Sequence, residues 1–148
     1  MPAAHSPEHP DADCIFCRIV ARGLPAFLLD EDDQTLAFMD INPASRGHAL
    51  VIPKVHSQDL LAIAAPDLAA TVQSAQRLAV RMKDRLGADG INLLNCCGAD
   101  AWQTVFHFHI HVIPRYKDDP ERDPLRLPWI PAPGDMDDIK AVAEELTA

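Results

Sequence analysis

The sequence predicts an α+β domain whose five-stranded antiparallel sheet is covered by helices on one face. Three observations predict it. Short stretches rich in Val, Ile, Leu and Phe are separated by hairpin-length turns, and a single long amphipathic segment interrupts them. The 148 residues suit one hydrophobic core, and no internal repeat or second core is visible.

Residues 1–13 carry Pro, His, Asp and Glu without periodicity and are expected to form a flexible tail. Residues 14–21 predict a short helix stopped by Gly23 and Pro25. Residues 27–29 and 35–39 predict two strands flanking the acidic turn Asp30-Glu31-Asp32-Asp33, and residues 48–52 a third, closed by Pro53. A short helical turn is expected over 57–63. The long helix is expected over 67–86, where Leu68, Val72, Ala75, Ala79, Met82 and Leu86 trace one apolar stripe between Pro66 and Gly87. Asp89-Gly90 turns the chain into a fourth strand at 91–95, and 105–113 is the fifth. Six prolines from Pro114 to Pro133 forbid regular structure, so a covering loop is expected there, followed by a helix over 135–146 that packs on the same domain.

A net charge of −9 excludes broad contact with a nucleic acid polymer or an anionic membrane, since both need a basic surface. Any phosphate the chain binds must then be small and held locally. The longest purely apolar run, 60–65, is far short of a membrane span, and the N-terminus lacks a secretory pattern, so a cytoplasmic location is expected. In that reducing setting Cys14, Cys17, Cys96 and Cys97 are expected as thiols or metal ligands.

The most informative stretch is His107-Phe-His109-Ile-His111-Val-Ile-Pro114. Period-two alternation puts three imidazoles on one face and Phe108, Ile110 and Val112 on the other. Imidazoles are costly core residues, so a bound group is expected beside them. Cys14-Ile-Phe-Cys17 has metal-ligand spacing but supplies half a tetrahedral site; His56 and His107 are candidates to complete a closed, structural Cys₂His₂ zinc site. Spacing alone also fits two buried cysteines or a thiol redox pair, although no thioredoxin-like βαβ setting surrounds it. With His107 on a metal, His109 and His111 remain for a substrate. A neutral imidazole is a nucleophile towards phosphorus and then a leaving group, and Gln103, Thr104 and backbone N–H groups offer further donors.

The motif Gln103-Thr104-Val105 followed by His107-x-His109-x-His111 resembles the signature of the histidine triad (HIT) superfamily. The resemblance extends to Gly47-His48-Ala-Leu-Val-Ile-Pro-Lys-Val-His56, to Phe38-Met-Asp40-Ile41 and to Cys14-Ile15-Phe16-Cys17-Arg-Ile19, covering about residues 14–117 in order. It implies a HIT-like fold and hydrolysis or nucleotidyl transfer at the α-phosphate of an AMP-like purine nucleotide, such as a phosphoramidate or dinucleoside polyphosphate. By position, it implies that His109 is the nucleophile and that His111 and Gln103 contact the phosphate. His48 matches an additional histidine of the catalytic network, and Asp40 the acidic residue that holds the ribose. Ile15, Phe16, Ile19, Leu24, Phe38 and Ile41 match the residues that enclose the base, and Thr104, Val105 and Cys96 further nucleotide contacts. Cys14, Cys17, His56 and His107 match zinc ligands of bacterial members, and a homodimer with joined sheets is implied. Two departures stand out. Trp102 replaces a Gly before the glutamine, where an indole is expected to narrow the leaving-group side or to stack on the leaving group, and Cys96 replaces an Asn. A nucleotide-binding sensor with little turnover is the rival reading.

Overall fold

Strand pairing in the computed structural model, which describes residues 13–126 and 131–147, puts five antiparallel strands in one sheet. The chain runs α1 (Ile15–Val20), β1 (Leu28–Glu31), β2 (Thr35–Met39), β3 (Ala49–Pro53), α2 (Ala65–Leu86), β4 (Gly90–Leu94), a 3-10 turn (Ala99–Ala101), β5 (Ile110–Arg115) and α3 (Met136–Thr147). The strand order is β1-β2-β3-β5-β4, so the fold class is the α+β sheet with a long middle helix and a C-terminal helix that the sequence predicts. The expected tail, except Asp13, lies outside the described residues. Among the described residues no helix is long and apolar enough to cross a membrane.

Both faces of the sheet are covered, which corrects the expectation of helices on one. Ala37, Ala49, Val51, Phe108, Ile110 and Val112 meet Ala75, Leu78 and Met82 of α2 on one side. Leu36, Phe38, Leu50 and Ile52 meet Cys14, Phe16, Cys17 and Ile19 of the α1 segment on the other. The alternate residues of β2 and β3 are therefore buried in two different layers, which is why both strands read as continuous apolar runs. Within α2, Val72 is largely exposed while Leu78 is buried, so the buried stripe is rotated from the one predicted. Gly87 ends α2 in the left-handed conformation, as its position in the sequence suggests.

β5 differs most from expectation. It begins at Ile110 instead of residue 105, because the register with β3 (Val51 opposite Ile110) would place Phe108 against Pro53, which has no N–H to give. Phe108 N donates instead to Ser57 O at 2.7 Å, and the Asn95 side-chain amide donates to His109 O at 2.9 Å. The strand then continues through Pro114 to Arg115. The Arg115 carbonyl accepts from Asp89 N on the β4 side, so Pro114 faces the other edge, where β3 has already ended and Ser45 Oγ donates to the Pro114 carbonyl (2.6 Å). β1 extends to Glu31, moving the acidic turn to Asp32, whose Oδ1 accepts from Gln34 N and Thr35 N. Residues 57–63 form turns capped by Asp59 rather than a helix.

After β5, Arg115 and Tyr116 N both bond the buried Asp123 carboxylate, and Tyr116 Oη donates to Arg46 O, pinning the following loop against the domain. No residue of the helix α3 is fully buried, and Met136 and Leu146 are exposed. Gly47 takes φ +93° where its chain passes Leu86 and Pro114; an added Cβ would lie 2.6 Å from Leu86 Cδ1 and 3.2 Å from Pro114 Cγ. Gly47→Ala is expected to lower the unfolding free energy in urea by about 1–3 kcal/mol, through backbone strain and overpacking together. An unchanged denaturation midpoint would show that the loop absorbs the methyl group.

Candidate active site and metal centre

Because His111 lies opposite Leu50 in the β3–β5 register, the odd-numbered residues leading into β5 face the α1 layer. The three histidines thus share one face although only His111 is in the strand. His107 Nε2–H donates to the Pro53 carbonyl (2.8 Å), leaving the Nδ1 lone pair directed elsewhere. That nitrogen lies 3.5 Å from Cys14 Sγ, 3.5 Å from Cys17 Sγ and 3.2 Å from His56 Nδ1, and Cys17 Sγ lies 3.2 Å from His56 Nδ1. All four donor atoms lie within 4.8 Å of one another. Donors on one tetrahedral zinc, with bonds near 2.0 Å to nitrogen and 2.3 Å to sulfur, sit roughly 3.3–3.8 Å apart, so these four residues could hold that ion. Burial pushes His107 down to about 4, against the pull of the Pro53 carbonyl, which keeps it a neutral ligand.

The next histidine has the opposite tautomer. His109 Nδ1–H donates to the His107 carbonyl (2.7 Å), so Nε2 keeps its lone pair. The Phe16 ring meets His109 edge-on at 5.2 Å and limits its rotation. Burial lowers the pKa of His109, opposed by the His107 carbonyl and Asp40, so the ring is neutral and nucleophilic at neutral pH.

His109 and His111 line a cavity of about 290 Å³ together with Ile15, Phe16, Ile19, Phe38, Asp40, Ile41, Thr104 and Val105. Pro25, Ala26, Met39, Asn42 and Leu50 complete the wall; none carries a chemical signal that sequence reading could have used. Four expected site residues lie elsewhere. Leu24 lines a neighbouring depression with Arg22 and Pro25. Cys96 is buried outside the cavity lining, and burial raises its thiol pKa. Gln103 spends its amide on the backbone: Oε1 accepts from Gly98 N, and Nε2 donates to Gln58 O and Val105 O. It braces the loop that carries Thr104 and Val105. His48 sits behind the cavity, beside Asp40 and His111.

Trp102 is 78% exposed, with φ +71°, and is not among the residues that line the cavity. Asn95 is the residue that sequence reading missed. Its Nδ2 holds the His109 carbonyl, while its Oδ1 is the one buried side-chain N or O atom without a partner among the described residues. The neighbouring Cys96 drew attention instead.

His111 is pushed down to about 4 by burial and by His109 and His48, against Asp40. Unfolding restores an ordinary pKa near 6.5, so between pH 6.5 and 4 the unfolded chain binds a proton that the folded one refuses, and stability falls as pH falls. Thermal melts should therefore show a lower midpoint at pH 5 than at pH 7.5, with a shallower dependence in His111→Asn. An equal pH dependence in both proteins would remove His111 as its source.

Residues 21–118 match the HIT domain family. Adenosine 5'-monophosphoramidase HNT1 of Saccharomyces cerevisiae is 38% identical over 143 residues, covering 97% of this chain and 86% of that protein. Among solved structures, SMU.412c from Streptococcus mutans superposes with a TM-score of 0.85 at 34% identity, over 93% of this chain and 85% of that one. A Zn-bound histidine triad family protein from Mycobacterium smegmatis gives a TM-score of 0.71 at 36% identity, over 91% and 96% of the two chains.

Proposed function

This chain belongs to the HIT domain family, and we propose that it is a nucleotide hydrolase or nucleotidyl transferase that works through a covalent nucleotidyl-His109. The observation that carries the proposal is the His109 tautomer: Nδ1–H tied to the His107 carbonyl leaves a neutral Nε2 lone pair at the cavity wall. That lone pair attacks the α-phosphorus of a purine nucleotide whose base lies among Phe16, Ile19 and Phe38 and whose ribose meets Asp40. A P–N bond forms as the bond to the leaving group breaks, and the leaving group departs with the electron pair and takes up a proton. Water then attacks phosphorus, the P–N electrons return to imidazole, and the nucleoside monophosphate is released with one proton. The monophosphoramidase named among the relatives supports the phosphoramidate as a substrate class. The protein acts in the cytoplasm as a homodimer.

The test separates turnover from binding, and so an enzyme from a sensor. Purified protein should release AMP from a fluorogenic adenosine phosphoramidate. His109→Ala should abolish release while AMP affinity stays within about tenfold, because the substitution removes a covalent partner and keeps the base and ribose contacts. AMP binding by the wild type without release would favour the sensor; retained turnover in His109→Ala would remove the mechanism.

Zinc at Cys14, Cys17, His56 and His107 is proposed as a structural ion that ties α1 to the sheet, supported by the donor geometry and by the Zn-bound relative. Elemental analysis should find one zinc per chain. Cys14→Ser should lower the melting temperature more than it lowers turnover of the folded fraction. Carefully purified protein without zinc would refute the assignment.

A further inference from the structure

His109 stands just beyond the end of the sheet. The last pair of the β3–β5 ladder is Val51 with Ile110, and the last pair of the β4–β5 ladder is Leu94 with His111. His109 belongs to neither, so its peptide needs another anchor. One residue earlier, Phe108 N donates to Ser57 O at 2.7 Å. On His109 itself the carbonyl accepts from Asn95 Nδ2 at 2.9 Å, at the point where β4 has just ended. The His109 ring is fastened separately, by Nδ1–H to the His107 carbonyl.

An asparagine is a costly choice at this position. Its Oδ1 is buried and has no partner among the described residues, and a buried acceptor left bare destabilises a fold. The amide cannot be turned round to relieve it, since Oδ1 would then face a carbonyl oxygen. Leucine has a similar shape and brings no acceptor of its own. What leucine lacks is the donor. The amide thus gives up stability at one end and holds the His109 backbone at the other.

We propose that Asn95 is a positioning residue for the reaction: its amide N–H replaces the missing ladder bond at His109 and fixes the line along which His109 Nε2 meets phosphorus. Its effect on turnover rests on the proposed nucleotidyl-His109 step, whereas the anchoring of His109 does not. Two bonds hold His109 at its two ends, the carbonyl by Asn95 and the ring by the His107 carbonyl. Without the first, the main chain can shift while the ring stays tied, and Nε2 tilts. A displacement of about 1 Å at a reacting atom can cost roughly 10²-fold in rate. Asn95 is not among the residues that line the cavity, and the proposed base and ribose contacts of Phe16, Ile19, Phe38 and Asp40 do not involve it. The loss should therefore fall on kcat and spare binding.

Three variants of the full-length, zinc-loaded protein test this. Each is measured for kcat and KM with a fluorogenic adenosine phosphoramidate, for AMP affinity, for its thermal midpoint and, by NMR, for exchange of the His109 Nδ1 proton with water. Asn95→Leu should lower kcat about tenfold to a hundredfold with KM and AMP affinity within about threefold, at a midpoint near the wild type's, because one bare buried acceptor replaces another. In the same variant the His109 Nδ1 proton should exchange at least about tenfold faster. Asn95→Asp keeps the shape without a donor at neutral pH and should lose kcat likewise. Asn95→His, which returns a ring N–H near the lost Nδ2, should recover most of kcat and the slow exchange. A fall in kcat that only tracks lost folded protein or lost AMP affinity would overturn the proposal, as would a His109 proton unmoved by Asn95→Leu. If the wild type releases no AMP while Asn95→Leu quickens that exchange, the anchoring stands and the hydrolase reading alone fails.

Discussion

The structure depends on the meeting of Pro53 with His107. Pro53 offers no N–H, so the β3–β5 ladder cannot extend beyond Ile110, yet its carbonyl still needs a donor and takes one from His107 Nε2 at 2.8 Å. One residue thereby ends a strand and sets a tautomer. Released from the ladder, the backbone from 104 to 109 is held by Ser57, Asn95 and the Gln103 side chain instead. The His107 carbonyl is then available to His109 Nδ1, and the bare His107 Nδ1 is available to the cysteines. Two histidines two residues apart acquire opposite tautomers because one backbone position cannot donate.

The six residues of α1 connect the two centres. Cys14 caps the helix, its Sγ accepting from Cys17 N, and faces the cluster with Cys17, while Ile15, Phe16 and Ile19 line the cavity. A helix this short has little stability of its own and must be held by what it touches. Packing on Leu36, Phe38, Leu50 and Ile52 supplies part of that. The cysteine–histidine cluster anchors its first turn to residues nearly a hundred positions away, and whatever fills the cluster therefore bears on the shape of the cavity wall. Phe16 makes the coupling direct, since its ring lies 5.9 Å from His107 and 5.2 Å from His109.

Much of this was legible because the relevant physics is local. Period-two alternation placed Phe108, Ile110 and Val112 opposite the histidines, and it survives even where the ladder is absent, because burial on both faces enforces it. The two cysteines and two histidines were legible as one cluster. What stayed hidden depended on partners distant in sequence. The covering of the second face by α1 follows from strands apolar on both sides, a pattern that short strands share with buried helices. Gln103 looked like a phosphate ligand, but its amide is claimed by Gly98, Gln58 and Val105, and no pattern in one sequence announces that the 57–61 turn will lie within reach. Asn95 was passed over for its neighbour because its work is to hold a backbone carbonyl. The exposed stripe of Met136, Ile139, Val142 and Leu146 on α3 is amphipathic, and amphipathicity alone does not say which surface it meets.

An acidic chain proposed to bind a nucleotide phosphate poses an electrostatic question. The residues nearest the cavity's reacting wall are imidazoles whose pKa values burial has lowered, so positive charge is not what draws a phosphate there. A phosphate bound without a cation beside it is held more weakly than by a guanidinium, but such a site needs no counter-charge and would not hold the product by attraction alone. The selectivity must then come from shape and from the apolar walls of Phe16, Ile19 and Phe38, which a bare phosphate or a polyanion cannot use. On the proposed function, net charge and site chemistry act together: the surface repels large anions, and the cavity would favour a ligand that brings a planar apolar ring along with its phosphate.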